Sequence, residues 1–275
     1  MANTLINNVV LGEVIGASLP NKIKFAPIAK VNNTLTSVAG DTIKVEKYAY
    51  IGEAVDVAEG KEIPISDLSM TSQDVTVKKA GKGFSLTDED VIRRGQEVVS
   101  EGKKQLEMAI ADKVDSDCVL AAKQAKLKYD GCTKTICYES IVNAIACFGE
   151  EEDEVKVMYI NPLQKASLQL DPMFTKASGM GDKIVSTGVF GEIAGVQLIV
   201  SGKVKAVDKT IDGKKVKVYE NPILKEGAIG IEMAKNVLVE EERRAKCTTT
   251  DYFATEHYVA YLKDEKKAVL LTCLA

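Results

Sequence analysis

Few residues in this chain have the chemistry of an active site. A nucleophile relay would have to enlist the single histidine, His257. That residue lies inside an apolar strand-like run, DYFATEHYVAYL, and reads as structural. The six cysteines, Cys118, Cys132, Cys137, Cys147, Cys247 and Cys273, make no C-x-x-C pair. Zinc would want tighter spacing and more histidine, so they read as reduced thiols. Two acidic runs have the donor atoms for a cation or an acid–base pair. The first, Asp88-Glu89-Asp90, follows Thr87 and is explained as a helix start: a capping box at the positive end of a helix dipole. The second, Glu150 to Glu154, falls between a helical and a strand pattern and reads as a solvated turn. There is no phosphate-cradling glycine loop and no G-x-S-x-G elbow. The expectation is a protein that is not an enzyme, with no catalytic residue, cofactor or metal.

The arginines carry more information. All four occur as adjacent pairs, Arg93-Arg94 and Arg243-Arg244. A guanidinium fork suits a fixed, partly desolvated contact with a carboxylate better than lysine does. Carboxylates are gathered in IGEAVDVAEGKEIPISDLSM, where Glu53, Asp56, Glu59, Glu62 and Asp67 surround the lone Lys61. A connection of that length without a core of its own is uncommon in a compact domain. Val55, Val57, Ile63, Ile65 and Leu68 make it too apolar for a free loop. The expected inter-subunit contact residues are therefore Glu53, Asp56, Glu59, Lys61, Glu62, Arg93, Arg94, Arg243 and Arg244.

What must position these residues is a long helix flanked by strands. Apolar side chains recur at three- and four-residue steps from Val91 through Val98, Leu106, Ile110, Val114 and Cys118, predicting one helix over Thr87 to Lys126. At 1.5 Å per residue it would be roughly 60 Å long. Gly95 and Gly102 sit near its apolar stripe; they mark either close packing against a neighbour or a place where the helix bends. Ahead of it the period changes to two. DTIKVEKYAYIG and QDVTVKKAGKGFSL predict an outgoing and a returning strand around the acidic connection. Residues 1–40 are weakly patterned and read as an arm docking elsewhere, with a short helix around Asn8 to Leu19. After a loop at Tyr129 to Thr135, helix and strand alternate: YESIVNAIACFG, VKVMYI, and NPLQKASLQL with proline at its first position. An exposed loop spans Asp171 to Lys183. A strand–glycine–strand phrase and a hairpin turning at Asp212-Gly213 follow. The last fifty residues read as strands, of which DYFATEHYVAYL and AVLLTCL are expected to form a buried hairpin.

Composition bounds the rest. The 275 residues have ordinary hydrophobic and charged fractions, 45% and 28%, and a formal net charge of −4. An acidic balance argues against a surface built to grip phosphates. No signal peptide is visible, and no segment approaches the ~20 apolar residues of a membrane span.

The order arm, projecting hairpin, spine helix, α/β region and returning strands resembles the Hong Kong 97 type capsid fold of tailed-bacteriophage major capsid proteins. The phrases MYINPLQKASLQLDP, GVFGEIAGVQLIVSGKV and EERRAKCTTTDYFATEHYVAYLKDEKKAVLLT carry the likeness. It implies an α+β fold with an N-terminal arm (1–40), an extended β-hairpin loop (41–86), a peripheral domain with the spine helix (87–130), an axial α/β domain (131–224) and peripheral return strands (225–275). The implied function is self-assembly as pentamers and hexamers into an icosahedral shell around phage double-stranded DNA, held without sequence-specific binding. The implied partners are the chain itself, a portal protein, a separate scaffolding protein and, in some relatives, a decoration protein, with no membrane. The expected place is the virion capsid, assembled in the host bacterial cytoplasm. Some relatives weld subunits by a lysine–asparagine bond; Lys61 lies in the loop, but the asparagine and glutamate are unmatched, so no cross-link is expected. In such a shell Gly95 and Gly102 would let the spine bend. An encapsulin-type nanocompartment and, less favoured, a small oligomeric α/β enzyme are the alternatives.

Overall fold

The computed structural model describes residues 25, 28–32, 42–48, 55–57, 60, 62, 63, 65, 67, 70–149, 154–172, 192–211 and 213–275. Two sheets and a ribbon organise them. The first sheet has strand order β1-β11-β12-β4, formed by Lys30–Asn32, Ile229–Arg244, Thr249–Leu262 and Lys78–Thr87. Its β11 and β12 make a long antiparallel hairpin whose register runs from Ile229↔Leu262 to Arg244↔Thr249.

The spine lies across this sheet, and it is shorter than the sequence predicts. Instead of one helix from Thr87 to Lys126 there are two, α1 (Asp88–Arg94) and α2 (Glu97–Ala122). The start is as expected: the Thr87 hydroxyl accepts the Asp90 amide at 3.2 Å. The break is at Gly95, whose φ of 73° and ψ of −166° belong to a region essentially reserved for glycine. The hydrophobic period runs through the break although no residue of α1 is buried, so periodicity alone does not reveal it. Along α2 the buried residues Val99, Leu106, Ile110, Val114 and Cys118 recur at helical spacing. The last four meet Val239, Ala254 and Tyr258 of the sheet in one core.

The second sheet has seven strands. Its path is β5 (Leu127–Thr135), β13 (Ala268–Leu274), β10 (Lys214–Lys225), β6 (Lys156–Ile160), β8 (Val196–Val200) and β7 (Glu192–Ile193), with β9 (Ala206–Ile211) pairing β10. The region expected as a loop at Tyr129 to Thr135 is thus a strand. It pairs in parallel with β13, a partner about 140 residues away in sequence. The expected terminal hairpin does not form either. β12 stays in the first sheet, and the turn after Leu262 hands the chain to the second, where β13 runs between β5 and β10. Its apolar residues on both faces reflect burial inside that sheet.

Other local expectations hold. α3 (Tyr138–Ala146) and α4 (Pro162–Gln169) place Ile141, Ala144 and Leu168 in the core of this sheet. Asn161 caps α4, accepting the Leu163 amide at 3.0 Å, with Pro162 at the first helical position. β9 and β10 form the expected hairpin, pairing Ile211 with Lys214, with Gly213 at φ 77°. The predicted helix at Asn8 to Leu19, and most of the loop from Asp171 to Lys183, lie outside the described residues.

The spine's C-terminal half is tied to the second sheet by Lys123–Glu220 at 2.8 Å and Lys203–Asp112 at 2.6 Å. The end of the arm is tied down too. Phe25 is fully buried and stacks on Tyr159 with centroids 3.7 Å apart, while its amide donates to Asp115 Oδ1. The ribbon is β2 (Thr42–Tyr48) paired with β3 (Met70–Thr76). Its root rests on the first sheet through a small cluster of Val45, Val259 and Tyr261.

Candidate intersubunit surface

The acidic connection joins the far ends of β2 and β3. Of its proposed contact residues, Asp56 and Glu62 are described and exposed, whereas Glu53, Glu59 and Lys61 lie outside the described residues. The apolar positions beside them are bare: Val55 is 67% exposed, Ile63 76% and Ile65 95%. Covering one such side chain fully is worth about 1.5–3 kcal/mol. Several together in one segment form a surface awaiting a partner.

Arg93 and Arg94 occupy the last turn of α1, where positive charge complements the helix dipole. Both are exposed, and neither has an ion-pair partner among the described residues. Arg94 stands on the rim of an open cleft of about 690 Å³ lined also by Phe84 and Leu86 of β4 and by Val98, Gly102 and Gln105 of α2. The floor is Phe84, stacked on Tyr252 with centroids 5.1 Å apart. Gly102 is there because nothing larger fits: a Cβ on it would stand 2.3 Å from the Phe84 ring. Gly102 therefore sits inside unbroken helix as a close-packing residue, while Gly95 alone marks a bend. A Cβ at Gly95 would meet no atom within 4 Å, so its requirement is conformational, not spatial.

The other arginine pair is used inside the chain. Arg243 forks both oxygens of Asp88, with Nη1 to Oδ1 at 2.7 Å. Arg244 forks Asp251 at 2.7 and 2.8 Å. These bonds raise the pKa of both guanidiniums and lower that of the Asp251 carboxyl, where the Arg244 hydrogen bond is the main cause. Asp88 also donates its amide to the Thr248 carbonyl at 2.9 Å. The first turn of α1 is thus clamped to the tip of the β11–β12 hairpin. Spacing of some 155 residues hides such a pair from sequence reading. The cleft was equally hidden, because it exists only where β4 and the bend in the spine meet.

A ribbon with bare apolar side chains, a bent spine over a sheet and an α/β sheet are the parts that define this fold. The fold is that of phage capsids. It matches the capsid of Ralstonia phage GP4 with a TM-score of 0.69 at 12% identity, over 90% of this chain and 87% of that one. It matches the acid-stable capsid of Helicobacter pylori bacteriophage KHP30 with a TM-score of 0.69 at 10% identity, over 92% and 91%. No family model matches the sequence. A curated relative does: the major capsid protein of Staphylococcus phage phiMR11 is 34% identical over 265 residues, spanning 96% of this chain and 92% of that protein. The chain belongs to the phage major capsid proteins, and is a structural virion protein with the α+β capsid fold rather than an enzyme.

Proposed function

We propose that this chain tiles, as pentamers and hexamers of identical copies, an icosahedral shell that encloses phage double-stranded DNA. The observation that carries the reading is the ribbon connection, whose Val55, Ile63 and Ile65 are exposed and would be covered by another copy. On this reading residues 41–86 form the extended loop laid on a neighbour, residues 87–130 and 225–275 the peripheral domain, and residues 131–224 the axial domain. The loop's apolar residues enter the neighbour's cleft over Phe84, and its carboxylates, Glu53, Asp56, Glu59 and Glu62, pair with the Arg93 and Arg94 left unpaired beside it. Arg243 supports that contact indirectly, by clamping α1 through Asp88, while Arg244 holds Asp251 within the β11–β12 hairpin. A separate scaffolding protein and a portal protein take part in assembly in the bacterial cytoplasm. Packaged DNA is held by enclosure, as suits a chain of net charge −4. Gly95 is the point where the spine changes its bend as a precursor shell expands, and replacing it with alanine is expected to stall that transition. Kinship with phage capsid proteins favours a genome container over a nanocompartment. Negative-stain microscopy of the expressed protein, alone and with its scaffolding partner, tests the reading. Closed shells of uniform diameter are expected; a population of small oligomers only would refute it.

A further inference from the structure

The two edges of the first sheet carry opposite charge. Beyond Glu232, β1 no longer pairs with β11, so the sheet narrows to β11-β12-β4, with both outer strands open among the described residues. One edge, β4, presents Lys78, Lys79 and Lys82, all exposed. The other, β11, presents Glu240, Glu241 and Glu242, all exposed. None of the six has an ion-pair partner among the described residues. Of the two arginines that follow on β11, Arg243 is engaged by Asp88 and Arg244 chiefly by Asp251, with a weaker attraction to Glu242.

The faces match as well as the signs. Side chains alternate along a strand. Register puts Lys82 opposite Ala254 and Glu241 opposite Tyr252, both on the spine side of β12. Lys78 shares that side, while Lys79 falls on the far side with Glu240 and Glu242. Charged residues on an open edge ordinarily keep strands apart. Here each edge repels its own kind and attracts the other. That disfavours two-fold contacts of β4 with β4 or of β11 with β11 and favours a head-to-tail one, which closes into rings when the rotation allows.

We infer that the basic β4 edge of one copy faces the acidic β11 edge of the next, making a head-to-tail contact that sets the order of copies around a ring. The inference rests on the shell reading and adds the polarity of its subunit contact. In register terms the adjacent copy is shifted along the strand direction by roughly 7–20 Å, the offset that brings the lysines level with the glutamates on the same face.

Three charge-reversed chains test it: Lys78→Glu with Lys79→Glu and Lys82→Glu; Glu240→Lys with Glu241→Lys and Glu242→Lys; and all six together. Folding is checked by circular dichroism, and particle yield by sedimentation and microscopy near physiological salt. Each triple variant is expected to fold and lose its particles, while the six-fold variant regains them because the edges are again complementary. The smaller swap, Lys82→Glu with Glu241→Lys, gives the same reading should a triple variant fail to fold. Wild-type yield from either triple variant, or from both single members of the small swap, overturns the pairing and leaves the shell reading standing. So does a folded six-fold variant that stays unassembled. A wild-type chain that makes no particle overturns both.

Discussion

Glu256 is the residue most out of place. It is 1% exposed on β12, between Ala254 and Tyr258 on the side facing the spine, and its Oε2 has no hydrogen-bond partner among the described residues. Burial pushes its carboxyl up from 4.5 to about 7. The folded state therefore holds a proton that the unfolded chain releases, and stability falls as pH rises from about 4.5 to 7. Above that window the cost is complete, about 3 kcal/mol by the size of the shift. Glu256→Gln is expected to remove this slope and raise the melting temperature at pH 8 while changing it little at pH 4; thermal unfolding across pH measures both. Gly102 gives a second test at this scale. Alanine is better than glycine in a helix by about 1 kcal/mol, yet here its methyl drives into the Phe84 ring, and overpacking costs about 1–3 kcal/mol. Gly102→Ala is expected to lower stability, as read by denaturant unfolding. The sequence offered two glycines seven apart with two possible meanings. Only the backbone angle of one and the ring beside the other assign a bend to Gly95 and close packing to Gly102.

At the scale of elements, what was legible was what local chemistry dictates. Thr87 with Asp90 marked a helix start, Asn161-Pro162 another, and alternation marked β2 and one returning strand, which the structure divides into β3 of the ribbon and β4 of the first sheet. Long-range pairing decides the rest. LKYDGCTKT has too few apolar residues to announce a strand, and becomes one because β13 supplies its hydrogen bonds. β12 and β13 look like a hairpin because a short charged turn joins them, but β12 pairs with β11 and β4 while β13 pairs with β5 and β10 in the other sheet. The clamp of Arg243 on Asp88 likewise joins elements that sequence cannot associate. Its effect should be local: Arg243→Ala is expected to speed amide hydrogen exchange in residues 88–94 while leaving the centre of α2 protected. Equal acceleration along both helices would mean the clamp holds the whole spine rather than its first turn.

The described residues have one core shared by the spine and both sheets, a second between the α/β sheet and its helices, and apolar ribbon residues that are exposed. The resemblance to capsid proteins captured that architecture, because it depends on the order of elements more than on any one boundary. It did not give the cleft over Phe84 or the opposed edges, which are products of tertiary register. Reversing Arg93 and Arg94 to glutamate is expected to leave a folded chain that sediments as small species, since the loop's carboxylates would then meet like charge; unchanged shell formation would remove those arginines from the contact. The most direct measurement is capture of the ribbon by its partner. A photo-reactive side chain at Ile65 in an equal mixture of heavy- and light-isotope chains, assembled and irradiated, should yield heavy–light linked peptides containing residues 94–105. Links only between peptides of the same isotope, with the ribbon folded on its own chain, would contradict it.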